Sequence, residues 1–271
     1  MNYKIKKEKP EDYFCQCKYC KKIKGELLDP KGKYFSFRKR VGYGELEKIN
    51  KHICPGHWEG YMFIVDKFSK ELDVVFDPFA GSGTSLVESA KLNRNAIGIE
   101  LEFFKITEDN ASNYPVSIKV LEGDSQEKID EIKESFDLVV TGPPYNNRSD
   151  SPERKNLKTK EDHTFRYGHE KNVDKLADEN YYEKMRKIFS KIIPKMKINS
   201  HFVLIIKDPV RNKTYYPLHE NLGKILEELG LKFKETYIHR HYPPTLFMST
   251  YPKRFGIKVP LYQTMVVFKK V

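Results

Sequence analysis

The sequence predicts an α/β protein built on a seven-stranded, mostly parallel, doubly wound sheet with a small N-terminal extension. Two observations carry that expectation. From about Leu72 onward, short apolar runs alternate with amphipathic stretches, the pattern left by strands buried on both faces and the helices that cover them. The first of these runs leads into a glycine-rich turn and then a helix, which is how doubly wound folds present backbone amides to a nucleotide-like ligand.

Seven runs have strand character: Asp73–Phe76, Ala96–Ile99, Ser117–Leu121, Asp137–Val140, Phe202–Ile206, Phe233–His239 and Thr264–Phe268. Each is bounded by turn or helix signals. Helices are expected over Thr84–Leu92, Phe103–Asn113, Gln126–Glu134, Asn180–Met196 and Leu218–Leu229, where apolar residues return at three- and four-residue steps. Gly230 is placed to stop the last helix. Between Asn146 and Asp178 the chain turns polar and basic and reads as a long loop, and a second irregular stretch, His241–Pro260, holds four prolines.

Hydrophobic residues make up 39% and aromatics 13% of the 271 residues, enough for a core and too many for a disordered chain. No apolar run approaches the ~20 residues that span a bilayer. The opening MNYKIKKEKPEDY lacks the apolar stretch of a secretory signal. A cytoplasmic protein with no membrane partner is therefore expected. The net charge of +11 favours polyanions, although a lysine-rich surface also serves solubility.

The segment DVVFDPFAGSGTSLVESAKLNRNAIGIELE sets Asp77, Pro78, Phe79, Ala80, Gly81, Ser82, Gly83 and Thr84 at a strand-to-helix turn. Small residues there let a ligand approach the backbone and the helix N-terminus. The turn has neither the GxGxxG spacing of a dinucleotide site nor the GK[ST] of a phosphate loop. The next strand ends in Glu100, a carboxylate suited to two ribose hydroxyls. The third ends at Gly123-Asp124, where Asp124 is either an acceptor for an adenine amine or the N-cap of the following helix. The fourth runs into Thr141-Gly142-Pro143-Pro144-Tyr145. Its two prolines remove amide donors and leave carbonyls at the strand's carboxyl end as acceptors, while Tyr145 offers a flat face to a base.

On FAGSG and GPPY together the chain resembles the exocyclic-amino DNA methyltransferases, of N4-cytosine and N6-adenine type, whose hallmarks are FxGxG and [DNS]PPY. The cofactor motif comes first, as in the gamma-type order. The resemblance spans Ile53 to Val271 and implies the class I S-adenosylmethionine-dependent methyltransferase fold, whose antiparallel last strand is matched by QTMVVFKK. It implies S-adenosylmethionine as cofactor, held by the Asp77–Thr84 turn, Glu100, Asp124 and, in the CPGHWEGYMFIVDKF segment, His57. It also implies double-stranded DNA as substrate, its target base flipped out. The Pro143 carbonyl would accept an amine hydrogen and Tyr145 would stack on the base. A modification enzyme with a cognate restriction endonuclease is the implied setting.

Gly142 departs from the family, which has Asp, Asn or Ser there. The missing acceptor would come from a neighbour, with Thr141 and Asp150 the nearest in sequence, or the enzyme is slow or works on another substrate. The Thr-small-Pro-Pro-Tyr pattern is closest to the TSPPY of cytosine-N4 enzymes. Residues 1–52 then form the extension, a zinc-binding or recognition element, and residues 53–271 the catalytic domain with basic loops at 146–178 and 239–260. In those loops Arg148, Arg154, Lys155, Lys158, Lys160, Arg166, Lys171, His239 and Arg240 are suited to phosphates, and Phe165 and Tyr167 to unstacked bases.

Cysteines cluster in CQCKYC and CPGH. Cys17 with Cys20, and Cys54 with His57, have the spacing of a structural zinc site. Buried thiols are the alternative, since Cys15 confuses the pairing. Three functions follow: a DNA methyltransferase, an RNA base methyltransferase on the same fold, and a non-catalytic nucleic-acid-binding subunit with a degenerate fold.

Overall fold

The computed structural model describes residues 4–28, 58–112, 114, 117–145, 169, 171–173, 176, 178–211, 213–240, 256 and 258–271. In chain order the elements are β1 (Lys4–Lys6), β2 (Ile23–Leu28), α1 (Trp58–Phe68), β3 (Val74–Asp77), α2 (Thr84–Lys91), β4 (Asn95–Glu100), α3 (Phe104–Ala111) and β5 (Ile118–Glu122). There follow α4 (Ser125–Lys128), β6 (Phe136–Thr141), α5 (Asp178–Lys195), β7 (Met196–Ile206), β8 (Val210–Arg211), β9 (Thr214–Tyr215), α6 (Leu218–Glu228), β10 (Lys232–Arg240) and β11 (Tyr262–Lys269).

Among the described residues the main sheet has nine strands, not the seven expected, in the order β1-β2-β10-β11-β7-β6-β3-β4-β5. The seven expected strands are its β3 to β7, β10 and β11. Strands β3 to β7 run parallel, and β11 lies antiparallel between β7 and β10. The two additional strands come from the N-terminal segment: β2 pairs parallel to β10, and β1 antiparallel to β2. Residues 4–28 therefore extend the sheet. The boundary expected at 52/53 lies outside the described residues.

Strand alternation explains why both faces are apolar. On β7, Phe202, Leu204 and Ile206 enter the core under α5 and α6, while Val203 and Ile205 enter the core under α1. On β11, Val266 and Phe268 take the first face and Met265 and Val267 the second. Phe76 and Phe136, on adjacent strands, stack with centroids 4.2 Å apart, worth roughly 0.5–1.5 kcal/mol beyond the area they bury.

Helix α1 adds to the expected helices. Residues Glu59 to Val65 are all buried, so the segment carries no polar stripe from which a 3.6-residue period could be read. Among the described residues no helix is long and apolar enough to cross a membrane.

Candidate functional site

The glycine turn needs left-handed backbone twice: Gly81 has φ 56° and Gly83, the N-cap of α2, φ 79°. Side chains are disfavoured there. The turn is held from three directions. Ala80 N–H donates to the Ile99 carbonyl at 3.0 Å and Gly81 N–H to Glu100 Oε2 at 2.7 Å. From α3, Thr107 Oγ1 donates to the Gly81 carbonyl at 2.5 Å and Asn110 Nδ2 to the Ser82 carbonyl at 2.8 Å. Ser125 Oγ donates to the Pro78 carbonyl, and the Ser82 and Thr84 hydroxyls pair at 3.0 Å. Thr107 and Asn110 escape a reading of motifs, although their i, i+3 spacing sets two polar residues on one buried helix face.

Asp77, Glu100 and Asp124 stand at the carboxyl ends of the adjacent parallel strands β3, β4 and β5, where ligands bind in doubly wound sheets. Glu100 accepts Gly81 N–H on one oxygen and the Glu102 and Phe103 N–H groups, at 2.9 and 3.0 Å, on the other. Burial raises its pKa, against the pull of those amides. Asp124 is the N-cap of α4, accepting from Gln126 N–H at 2.8 Å, and pairs with Lys184 Nζ at 2.5 Å. Asp124 therefore caps α4, a role that its remaining lone pairs can share with a ligand.

Asp77 turns inward. Its oxygens accept Phe79 N–H at 3.0 Å, Ser85 Oγ at 2.5 Å and Thr141 Oγ1 at 2.7 Å. Burial raises its pKa and the three bonds oppose the rise. The last of them ties the glycine turn to the end of β6, so Asp77 links the two motifs. It also accounts for Thr141. That hydroxyl has no exposure and gives its proton to Asp77. Asp150 lies outside the described residues, as does His57.

Tyr181 Oη donates to the Pro144 carbonyl at 2.9 Å, fixing the proline pair against α5. Pro143 is buried, and Tyr145 is half-buried against the main core. The space at Gly142 is filled from α1. A Cβ on residue 142 would lie 2.7 Å from Tyr61 Oη and 3.1 Å from the Ile205 carbonyl. A side chain at residue 142 would have to displace the Tyr61 hydroxyl.

Of the two basic loops, residues 146–168 and 241–255 lie outside the described residues, and with them Arg148, Arg154, Lys155, Lys158, Lys160, Phe165, Arg166 and Tyr167. Lys171 pairs with Glu127 at 2.7 Å. His239 is 3% exposed within β10. Arg240 is bound to Asp12 at 2.7 Å and Glu26 at 3.1 Å. These last two therefore belong to the sheet and its N-terminal edge rather than to a cleft wall.

A family model described as DNA methylase matches residues 5–108, and one described as an RMKL-like methyltransferase domain matches residues 69–161. The Type II beta methyltransferase M.BslI of Bacillus sp. (strain NEB-606) is 36% identical over 78 residues, 28% of this chain and 9% of that protein. Over these segments the chain is similar to DNA methylases. The chain is also 40% identical over 124 residues to an uncharacterized RNA methyltransferase of Caldanaerobacter subterraneus subsp. tengcongensis, 44% of this chain and 25% of that one. It thus spans a quarter or less of the length of either curated relative. TrmN from Thermus thermophilus superposes with a TM-score of 0.50 at 13% identity, covering 79% of this chain and 48% of that chain, a likeness of fold.

Proposed function

We propose that this protein is an S-adenosylmethionine-dependent methyltransferase acting on an exocyclic base amine of DNA, N4 of cytosine before N6 of adenine. The Asp77–Thr141 bond carries the reading, because it sets the glycine turn and the GPPY segment side by side at the carboxyl edge of the sheet. The donor set fits the cofactor: the carboxylates of Glu100 and Asp124 flank a turn whose two left-handed glycines leave the backbone approachable. Glu100 is assigned to the ribose and Asp124 to the adenine amine, with Pro78, Phe79, Ala80, Ser82 and Thr84 forming the rest of the turn and His57 a further contact.

When bound, S-adenosylmethionine supplies a methyl group on a positively charged sulfur. The protein's part is to hold and sharpen the amine. An exocyclic amine is a poor nucleophile while its lone pair is drawn into the ring, and acceptors that take its two hydrogens turn it toward tetrahedral geometry. The Pro143 carbonyl is one acceptor. The Tyr61 hydroxyl, seated in the space at Gly142, is the other. Tyr145 stacks on the flipped base, and Asp77 is a positioning residue that acts through Thr141.

Cytosine is preferred to adenine because Thr141 and Gly142 before the proline pair come closest to TSPPY. Double-stranded DNA is the partner, and a cognate restriction endonuclease completes the setting. An RNA substrate is the second reading, favoured by the likeness to the Caldanaerobacter RNA methyltransferase. The experiment is incubation with tritiated S-adenosylmethionine and genomic DNA or total RNA, followed by nucleoside mass analysis. Label in DNA as N4-methylcytosine is expected; label in RNA alone selects the second reading. Cofactor binding without transfer to either would leave a nucleic-acid-binding subunit.

A further inference from the structure

Three cysteines and a histidine meet at a place the methyl-transfer reading does not use. Cys15, Cys17 and Cys20 lie on the segment leading into β2, and His219 is the second residue of α6, 199 to 204 positions away. His219 Nε2 lies 3.1 Å from Cys20 Sγ, 3.2 Å from Cys17 Sγ and 3.8 Å from Cys15 Sγ. All four ligand atoms fall within 4.8 Å of one another, and none of the thiols is in a disulfide.

The surroundings are built to aim these groups. His219 Nδ1 faces Asp208 Oδ2 at 2.5 Å, leaving Nε2 toward the sulfurs. Asp208 is itself held by His219 N–H at 3.0 Å and by Tyr215 Oη, on the β8–β9 hairpin, at 2.6 Å. Tyr13 Oη lies 3.0 Å from Cys20 Sγ. A carboxylate behind a histidine whose other nitrogen points at thiols is the arrangement that orients metal-ligating imidazoles. Three sulfurs and one nitrogen, with no carboxylate among them, suit a thiophilic ion of tetrahedral preference and disfavour calcium or magnesium.

We propose that Cys15, Cys17, Cys20 and His219 hold one structural Zn2+ ion, with Asp208 orienting the histidine. Four protein ligands close the coordination sphere, so the ion takes no part in catalysis. It joins the segment before β2 to the start of α6, and so anchors the strand that lies beside β10. Cys17 and Cys20 are ligands as their spacing suggests; Cys15 and His219 take the places expected for Cys54 and His57, which lie outside the described residues. Sequence spacing missed His219 because the fold, not the local chain, brings it close.

The test is metal analysis of the full chain, expressed with added zinc and purified without chelator. One zinc per chain is expected, lost in Cys15→Ser, Cys17→Ser and His219→Ala and kept in Cys54→Ser and His57→Ala. Should ligand variants not fold, wild-type protein exchanged with Co2+ must show the sulfur-to-metal charge-transfer and strong d–d absorption of a tetrahedral thiolate site. Asp208→Asn should weaken zinc in chelator competition by ~10–100-fold. Zinc at background, with the thiols of the folded wild-type chain open to a thiol reagent, overturns the proposal. So does loss of the ion in Cys54→Ser with retention in Cys15→Ser. Neither result bears on methyl transfer.

Discussion

Gly142 and Tyr61 form one device made of two residues far apart in sequence. With the hydroxyl 2.7 Å from where a Cβ would stand, restoring the family's side chain at 142 forces Tyr61 aside. Gly142→Ser should therefore lower activity although serine is a family residue, and Tyr61→Phe should relieve part of that loss in the double variant. Tyr61→Phe alone removes an acceptor while keeping the ring in the core. The expected result is a fall in kcat of ~10–100-fold, about 1.4–2.7 kcal/mol on the barrier, with cofactor affinity unchanged. Wild-type kcat in Tyr61→Phe would remove the hydroxyl from the mechanism. The gap at Gly142 was legible in the motif. What fills it was not, because α1 precedes the motif by some eighty residues and only the sheet brings them together.

At the scale of elements, β10 shows how a strand overrides a local reading. His239 and Arg240, beside a basic stretch, suggest a phosphate-binding wall, yet both faces of β10 are covered at this end and Thr236 to His239 are buried in succession. Burial pushes its pKa down to about 4. A histidine with a lower pKa folded than unfolded contributes stability that is present above about pH 6.5 and is lost as pH falls through that value toward 4. The full loss is roughly 3 kcal/mol. Urea midpoints measured from pH 7 to pH 4 should drop, and His239→Gln should flatten the drop. An equally steep fall in His239→Gln would place the acid sensitivity elsewhere. The glycine turn shows the complementary case: its residues were evident from their own chemistry, but the Thr107 and Asn110 clamp depends on how α3 packs.

On the scale of the whole molecule, residues 4–28 are part of the main sheet. Leu27 of β2, 2% exposed, shares a core with α1, β7 and β11. Leu27→Ala should cost about 2–5 kcal/mol and do so in a single cooperative unfolding transition. A second, separate transition in calorimetry would mark residues 4–28 as an independent unit. Short β1 and β2, with lysines and a glycine among their nine residues, carry little strand signal, and their pairing depends on the edge that β10 offers. By itself the sequence determined seven of the strands, four of the five expected helices and both motifs, because period, glycine geometry and proline chemistry act within a few residues; the helix expected over Gln126–Glu134 is only Ser125–Lys128 and a 3-10 turn to Glu131. Tertiary structure alone decided the partners: Tyr61 at Gly142, Thr141 on Asp77, Lys184 on Asp124, and His219 among the cysteines. Each of those depends on which strand ends the fold sets side by side, and contacts between distant segments leave no periodicity to read.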